Sequence, residues 1–407
     1  MYFPHEEYEQ RWGRLHDQMA ARDFETAIVW QRSGGSYDRA GNVWYLSNYA
    51  AQNNGQEPTT LFFGVGQAYA ALLVRRGHEP ELHLLQEQSG IEGIDRRYVA
   101  IEHIEGHPGS IGTGVAERLR SLGIEGRVAY VGDDFLPLEI WRDVEAGSPS
   151  IEWIPQDDLL YSVQHVKSPR ELDLFREAGE ISSAALTAFM EGLIRGEPQC
   201  EAAARAAAII TAAGGGFQRL GCNTGPRGDS CFFDYPLYGY SKEAAKPGEM
   251  VHAWVIPVIE GYWLDPGRTS VYGASPRIDQ RRLVEGTVEV CEEVIRAFRP
   301  GVTPREVGVI ADNAAKRLGL AIPEAGGHLY GHGMSTFWAG PVVPGEETSH
   351  VEDDPFWNID EPFYDGQLFT AEAFFEEPGV GLAGIEEIVI IWQDGVERLT
   401  STPKTFW

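Results

Sequence analysis

Two apolar stretches late in the chain each carry an acid where a strand-like run should hold only hydrophobes. LFTAEAFF holds Glu372 and GIEEIVII holds Glu386. A carboxylate in such a run is costly unless it is paired or metal-bound. Two more potential ligands sit in distinctive contexts, Asp265 in EGYWLDPGRTSVYG and His332 in GGHLYGHGMS. One imidazole and three carboxylates form a hard to borderline donor set. It suits manganese, iron, cobalt or zinc. Taken singly each residue also has a bland reading: Asp265 a turn, His332 a loop histidine, Glu372 and Glu386 solvated strand faces.

The rest of the chain reads as two α/β domains, the natural number for 407 residues. Residues 6–22 carry Trp12, Leu15, Met19 and Ala20 on one helical stripe. Short strands follow at Ala27–Trp30, TLFFGVG, AYAALLV, EPELHLL and RRYVAIEHI, then a helix GVAERLRSLGI and a strand RVAYVG. This alternation predicts a mixed α/β domain over 1–160 and a second domain over 161–407. The second opens on a helix start with Ser168 as cap, Pro169 at the first helical position and Glu171 closing a capping box. Further helices are expected near 199–213, 278–298 and 304–318, the first stopped by Gly214–Gly215–Gly216.

Net charge and cysteine usage bound the partners. The formal charge is −28, which argues against nucleic acid. Cys200, Cys222, Cys231 and Cys291 form no CxxC pair and no zinc spacing, so free thiols in a reducing compartment are expected. No apolar run reaches the roughly 18 residues of a membrane span, and no signal core is visible at the start. The expectation is a soluble, cytoplasmic protein without membrane or nucleic-acid partners.

The order of the four ligand-type residues resembles the pita-bread superfamily of creatinase, prolidase, aminopeptidase P and methionine aminopeptidase. In that family a metal is held by two aspartates, a histidine and two glutamates, in that order. GYWLDPGRT is similar to the second-aspartate strand, GHGMS to the histidine loop, DGQLFTAE to the first-glutamate strand and GIEEIVII to the last. The Val166–Lys167–Ser168–Pro169 helix start is similar to the family's entry into its catalytic domain, and the N-terminal half resembles the creatinase-type domain. The resemblance implies an α/β (α+β) chain: a creatinase-type N-terminal domain, then a pita-bread domain. It also implies a homodimer and a small-molecule or short-peptide substrate. Metal ligands would be Asp265, His332, Glu372 and Glu386, with Glu372 also carrying the proton.

The chain departs from the family pattern in several places. The first aspartate, eleven residues before the second, is replaced by Trp254, with His252 the nearest ligand-type residue on that strand face. In two-metal relatives that aspartate serves one metal only, so a single metal is expected here. The Pro-His of the peptidases is missing, with Leu237 and Tyr238 in its neighbourhood. The second histidine, seven residues after the metal histidine, is Ala339. Gly225–Pro226–Arg227 resembles non-peptidase members, including a branch of dimethylsulfoniopropionate lyases, but Trp338 stands where that branch has its aspartate base. Trp254, Arg227, Tyr238, Phe337 and Trp338 are candidates for a substrate pocket, and His328 for a second acid or base. Arg227 or Arg268 could clamp a substrate carboxylate, with a structural ion pair the favoured reading of Arg268. The leading expectation is a one-metal hydrolase of a C–N bond in a small amide, dipeptide or amidino/betaine-like substrate. The alternatives are a metal-free creatinase-type hydrolase, a lyase on the same fold, and a non-catalytic peptide-binding protein.

Overall fold

A computed structural model describes residues 2–32, 41–49, 59–60, 64–65, 69–85, 98–224, 240–321, 329–336, 338–345 and 358–407. The chain divides into two compact units, Met1–Gln164 and His165–Trp407.

The first unit opens on α1 (His5–Ala21), whose buried stripe includes Trp12, Leu15 and Met19. Then come β1 (Thr26–Arg32), α2 (Gly41–Ser47), β2 (Thr59–Thr60), β3 (Gly64–Val65), β4 (Tyr69–Arg75), β5 (Glu81–Leu85) and β6 (Ile104–His107). It ends with α3 (Ile111–Ser121), β7 (Gly126–Val131), α4 (Leu138–Gly147), β8 (Ile151–Pro155) and α5 (Asp158–His165). A six-stranded mixed sheet runs β6-β5-β4-β1-β7-β8. Its core joins Ile28, Trp30, Ala71 and Leu73 to Val115 and Leu119 of α3. Of the run RRYVAIEHI only Ile104 falls in a strand, at the start of β6; Arg96 and Arg97 lie outside the described residues, and the Ala100 N–H donates to the Ser47 carbonyl rather than to a neighbouring strand.

The second unit begins at α6 (Pro169–Ile194). Its capping box is formed: the Ser168 hydroxyl accepts from the Glu171 N–H at 3.2 Å, and Glu171 Oε2 accepts from the Ser168 N–H at 2.8 Å. Next are α7 (Gln199–Ala212), β9 (Gly216–Thr224), β10 (Met250–Ile259), β11 (Tyr262–Trp263) and β12 (Gly267–Val271). Helices α8 (Ile278–Ala297) and α9 (Pro304–Leu318) precede β13 (Leu329–Met334), β14 (Trp338–Pro344), β15 (Gln367–Glu377), β16 (Gly381–Trp392) and β17 (Gly395–Arg398). The large sheet runs β11-β10-β12-β16-β15-β13-β14, with β9 on β10 and β17 on β16. Its apolar face packs Phe369, Ala371, Ile385 and Val389 against Leu283, Val290, Val294, Val307 and Ala311 of the two helices. Among the described residues no helix is long and apolar enough to cross a membrane. Cys200, Cys222 and Cys291 are free thiols, and Cys231 lies outside the described residues.

Candidate metal centre

Four consecutive neighbours in the large sheet, β12, β16, β15 and β13, supply the four ligand-type residues. Asp265 precedes β12, Glu386 lies on β16, Glu372 on β15 and His332 on β13. Register does the positioning. Gly267 of β12 pairs with Glu386, and Glu386 pairs with Glu372 across the β15–β16 ladder. Bulges in the β13–β14 pairing flank His332, a device that re-aims a side chain.

Asp265, His332 and Glu386 bring one ligand atom each within 4.8 Å of one another. His332 Nε2 lies 3.4 Å from Asp265 Oδ2 and 3.5 Å from Glu386 Oε1. Glu372 is not a member of that tight group; it faces Glu386 across the ladder, and its charge acts on both His332 and Asp265. The imidazole orientation is set from behind: His332 Nδ1–H donates to the Gly333 carbonyl at 3.0 Å, which turns Nε2 toward the acids. Thr370 Oγ1 accepts from the His332 backbone N–H at 2.9 Å.

The site's electrostatics call for a cation. Asp265 Oδ1 and Glu386 Oε1 are buried with no hydrogen-bond partner among the described residues. Burial, then the Asp265 and Glu372 charges, pushes the Glu386 carboxyl well above the ordinary carboxylate range. Burial likewise raises Glu372 to about 7, against the pull of His332. For His332 burial opposes protonation, but Asp265, Glu386 and Glu372 together outweigh it and hold the imidazole well above its usual value. Clustered buried acids with two orphaned oxygens beside an imidazole nitrogen fit a divalent metal.

Trp254 closes one side of this group. On β10 it pairs with Gly267, and its indole N–H donates to Glu386 Oε2 at 2.7 Å. The ring stacks on Phe374 at 5.2 Å and 24°. Two glycines make the slot: a Cβ on Gly267 would lie 1.7 Å from the indole, and one on Gly384 would lie 2.8 Å from it. Trp254 is 5% exposed, so the residue expected to line a substrate pocket is packed into the sheet and bound to the Glu386 carboxylate. His252 is held by Thr269 Oγ1 at 2.8 Å and stands outside the ligand group. Trp338 opens β14 opposite Met334. Arg227, Tyr238, Phe337 and His328 lie outside the described residues.

The residue hardest to anticipate is Glu387. Its neighbour Glu386 faces Asp265 and His332, while Glu387 pairs with buried Arg268 at 2.8 Å. The same guanidinium donates to the carbonyls of Gly267, Glu386, Thr402 and Pro403. Two successive glutamates in an apolar strand were the available signal, because alternation sends them to opposite faces.

The sequence profile of metallopeptidase family M24 matches residues 173–393. The Xaa-Pro dipeptidase of Pyrococcus horikoshii is 25% identical over 293 residues, 71% of this chain and 75% of that protein. A probable dipeptidase PepE of Mycobacterium tuberculosis is 28% identical over 252 residues, 60% of this chain and 61% of that one. The structure of an Xaa-Pro dipeptidase from Bacillus anthracis superposes with a TM-score of 0.75 at 18% identity, covering 98% of this chain and 99% of the other. With more than half its length matched, and with the two-domain pita-bread architecture of these relatives, the chain belongs to metallopeptidase family M24.

Proposed function

We propose that this chain is a one-metal hydrolase of a C–N bond in a small substrate: an amide, a dipeptide, or an amidino or betaine-like molecule. Family membership and the Xaa-Pro dipeptidase relatives support metal-dependent hydrolysis of a peptide C–N bond at the coarse level. The finer reading rests on Trp254. In place of a second-metal aspartate the chain carries an indole whose N–H binds Glu386 Oε2. That oxygen is thereby engaged, and the ring fills the adjoining slot. The remaining orphaned oxygens, Asp265 Oδ1 and Glu386 Oε1, provide for one cation beside His332.

Asp265, His332, Glu386 and Glu372 are the proposed ligands. A bound divalent ion would polarise the scissile carbonyl and acidify a water. Glu372, raised toward neutrality by burial, is suited to take a proton and hand it to the leaving nitrogen. The Gly333 carbonyl fixes the His332 tautomer, and Trp254 orients the Glu386 carboxylate. A homodimer acting on a small-molecule or short-peptide substrate completes the reading.

Metal analysis of protein purified without chelator tests it. Wild type should hold one transition-metal ion per chain more than the Asp265→Asn/His332→Ala variant. A difference of two would overturn the one-metal reading, and a difference of zero would hand the site to the metal-free creatinase-type mechanism. A screen of N-acyl amino acids, Xaa-Pro dipeptides, guanidino acids and betaine-like compounds then supplies a substrate. With it, Glu372→Gln should fold normally and lose turnover by about 100-fold or more, with a smaller change in KM. Unchanged turnover would remove Glu372 from the chemistry.

A further inference from the structure

The N-terminal unit carries a second concentration of ligand-type side chains, on strands β5 and β6. These strands are parallel, with His83 in register with Glu105 and Leu85 with His107. Period-two alternation puts Glu81 and His83 on one face of β5, and Glu105 and His107 on one face of β6. His103, just before β6, reaches the same place: its Nε2 lies 2.8 Å from Glu105 Oε1. Among the described residues β6 is the edge of its sheet.

Two buried imidazoles stack there, 5.1 Å apart and 8° from parallel, with His83 Nδ1 2.8 Å from His107 Nε2. Glu105 Oε2 lies 3.9 Å from His83 Nδ1. The three residues offer one ligand atom each within 4.8 Å of one another. His83 has no exposed surface, and its Nε2 has no hydrogen-bond partner among the described residues. Protein groups alone leave this array unresolved. If His83 Nδ1 donates to His107, the buried Nε2 is a bare lone pair. If His107 donates, Nε2–H is a buried donor whose nearest acid, Glu81 Oε2, stands 3.8 Å away.

We propose that His83, Glu105 and His107 form a zinc-type metal site, distinct from the centre on the large sheet, that ties the edge strand β6 to β5. A cation takes the lone pairs of His83 Nδ1, His107 Nε2 and Glu105 Oε2, and a fourth position stays open to solvent. His83 Nε2–H then lies on the side of Glu81, whose Oε2 is 3.8 Å away, and a small closing shift is needed for it to accept. Two imidazoles and a carboxylate suit zinc. The site needs the two nitrogens to part from 2.8 Å to about 3.3 Å, the ligand separation around a tetrahedral ion.

The surroundings fit a built site. Arg118 binds Glu81 at 2.8 Å and stands 3.5 Å from Glu105 Oε1, so Glu105 Oε2 is left to face His83. The His107 ring lies on Gly114 of α3, where a Cβ would come within 2.0 Å of it. A glycine inside a helix is unfavourable and here makes room for the imidazole. Burial and the neighbouring imidazole keep His83 neutral, as a ligand must be. The Glu105 side chain, 30% exposed, and His103, 45% exposed, leave an entry path.

The test uses the full chain carrying Asp265→Asn and His332→Ala, so that the other centre is silent. After equilibration with zinc and removal of excess, this protein should retain one zinc per chain by elemental analysis. Adding His107→Gln should reduce that to none. Glu105→Gln, at a partly exposed position where folding is not at stake, should weaken zinc binding at least tenfold in a competition titration. Cobalt in place of zinc should give a tetrahedral visible spectrum that His107→Gln abolishes. Absence of zinc from the silenced protein, or unchanged binding after Glu105→Gln, would overturn the proposal.

Discussion

Trp254 and Arg268 act at the scale of single residues, and each yields a prediction. Trp254→Phe keeps a ring for the slot between Gly267 and Gly384 but removes the donor to Glu386. Losing a group that orients a ligand typically weakens metal binding by about 10–100-fold. Competition titration should show that loss with the circular dichroism spectrum unchanged; equal affinity would reduce the indole to a space filler. Arg268 and Glu387 are 0% and 1% exposed, so Arg268→Met strands a buried carboxylate. It should cost about 3–5 kcal/mol in urea unfolding, and Glu387→Leu in the same chain should recover part of it. A cost under about 1 kcal/mol would contradict this. Glu372 and Glu386 were legible as acids in apolar runs, and Asp265 and His332 through the family resemblance of their contexts; Asp265, His332 and Glu386 lie together, with Glu372 outside that tight group. The Trp254 contact was not legible. Nothing in the local sequence reveals that a tryptophan on β10 reaches a glutamate 132 positions later, since sheet order alone creates that meeting.

At the scale of elements, the capping box of α6 was readable from Ser168, Pro169 and Glu171 because every atom in it is local. Its second role was hidden: Glu171 Oε1 also accepts from the Tyr262 hydroxyl at 2.6 Å, fastening the helix start to β11. Ser168→Ala should therefore cost about 1 kcal/mol. Glu171→Ala should cost more, by about 1–3 kcal/mol, because it also deprives a buried hydroxyl of its acceptor. Equal costs in urea unfolding would show that the Tyr262 contact contributes nothing. The strand RRYVAIEHI was over-read for the opposite reason, since its Ala100 amide is claimed by distant Ser47.

For the whole molecule, 61 acids against 33 lysines and arginines leave a large unbalanced negative charge. Its self-repulsion opposes the compact state. Raising ionic strength from about 0.01 M to about 0.15 M shortens the screening length from about 30 Å to about 8 Å. The melting temperature should rise over that range; a fall would mean that the surface ion pairs outweigh the net charge. Sheet order has a further consequence, for synthesis on the ribosome. Strand β16 is made after both β12 and β15, yet it lies between them. Until Gly381–Trp392 emerges, the nascent chain carries two unpaired inner edges with nothing to cover them. Those edges are templates for pairing with other chains, so the interval before β16 emerges is when this sheet is most exposed to aggregation.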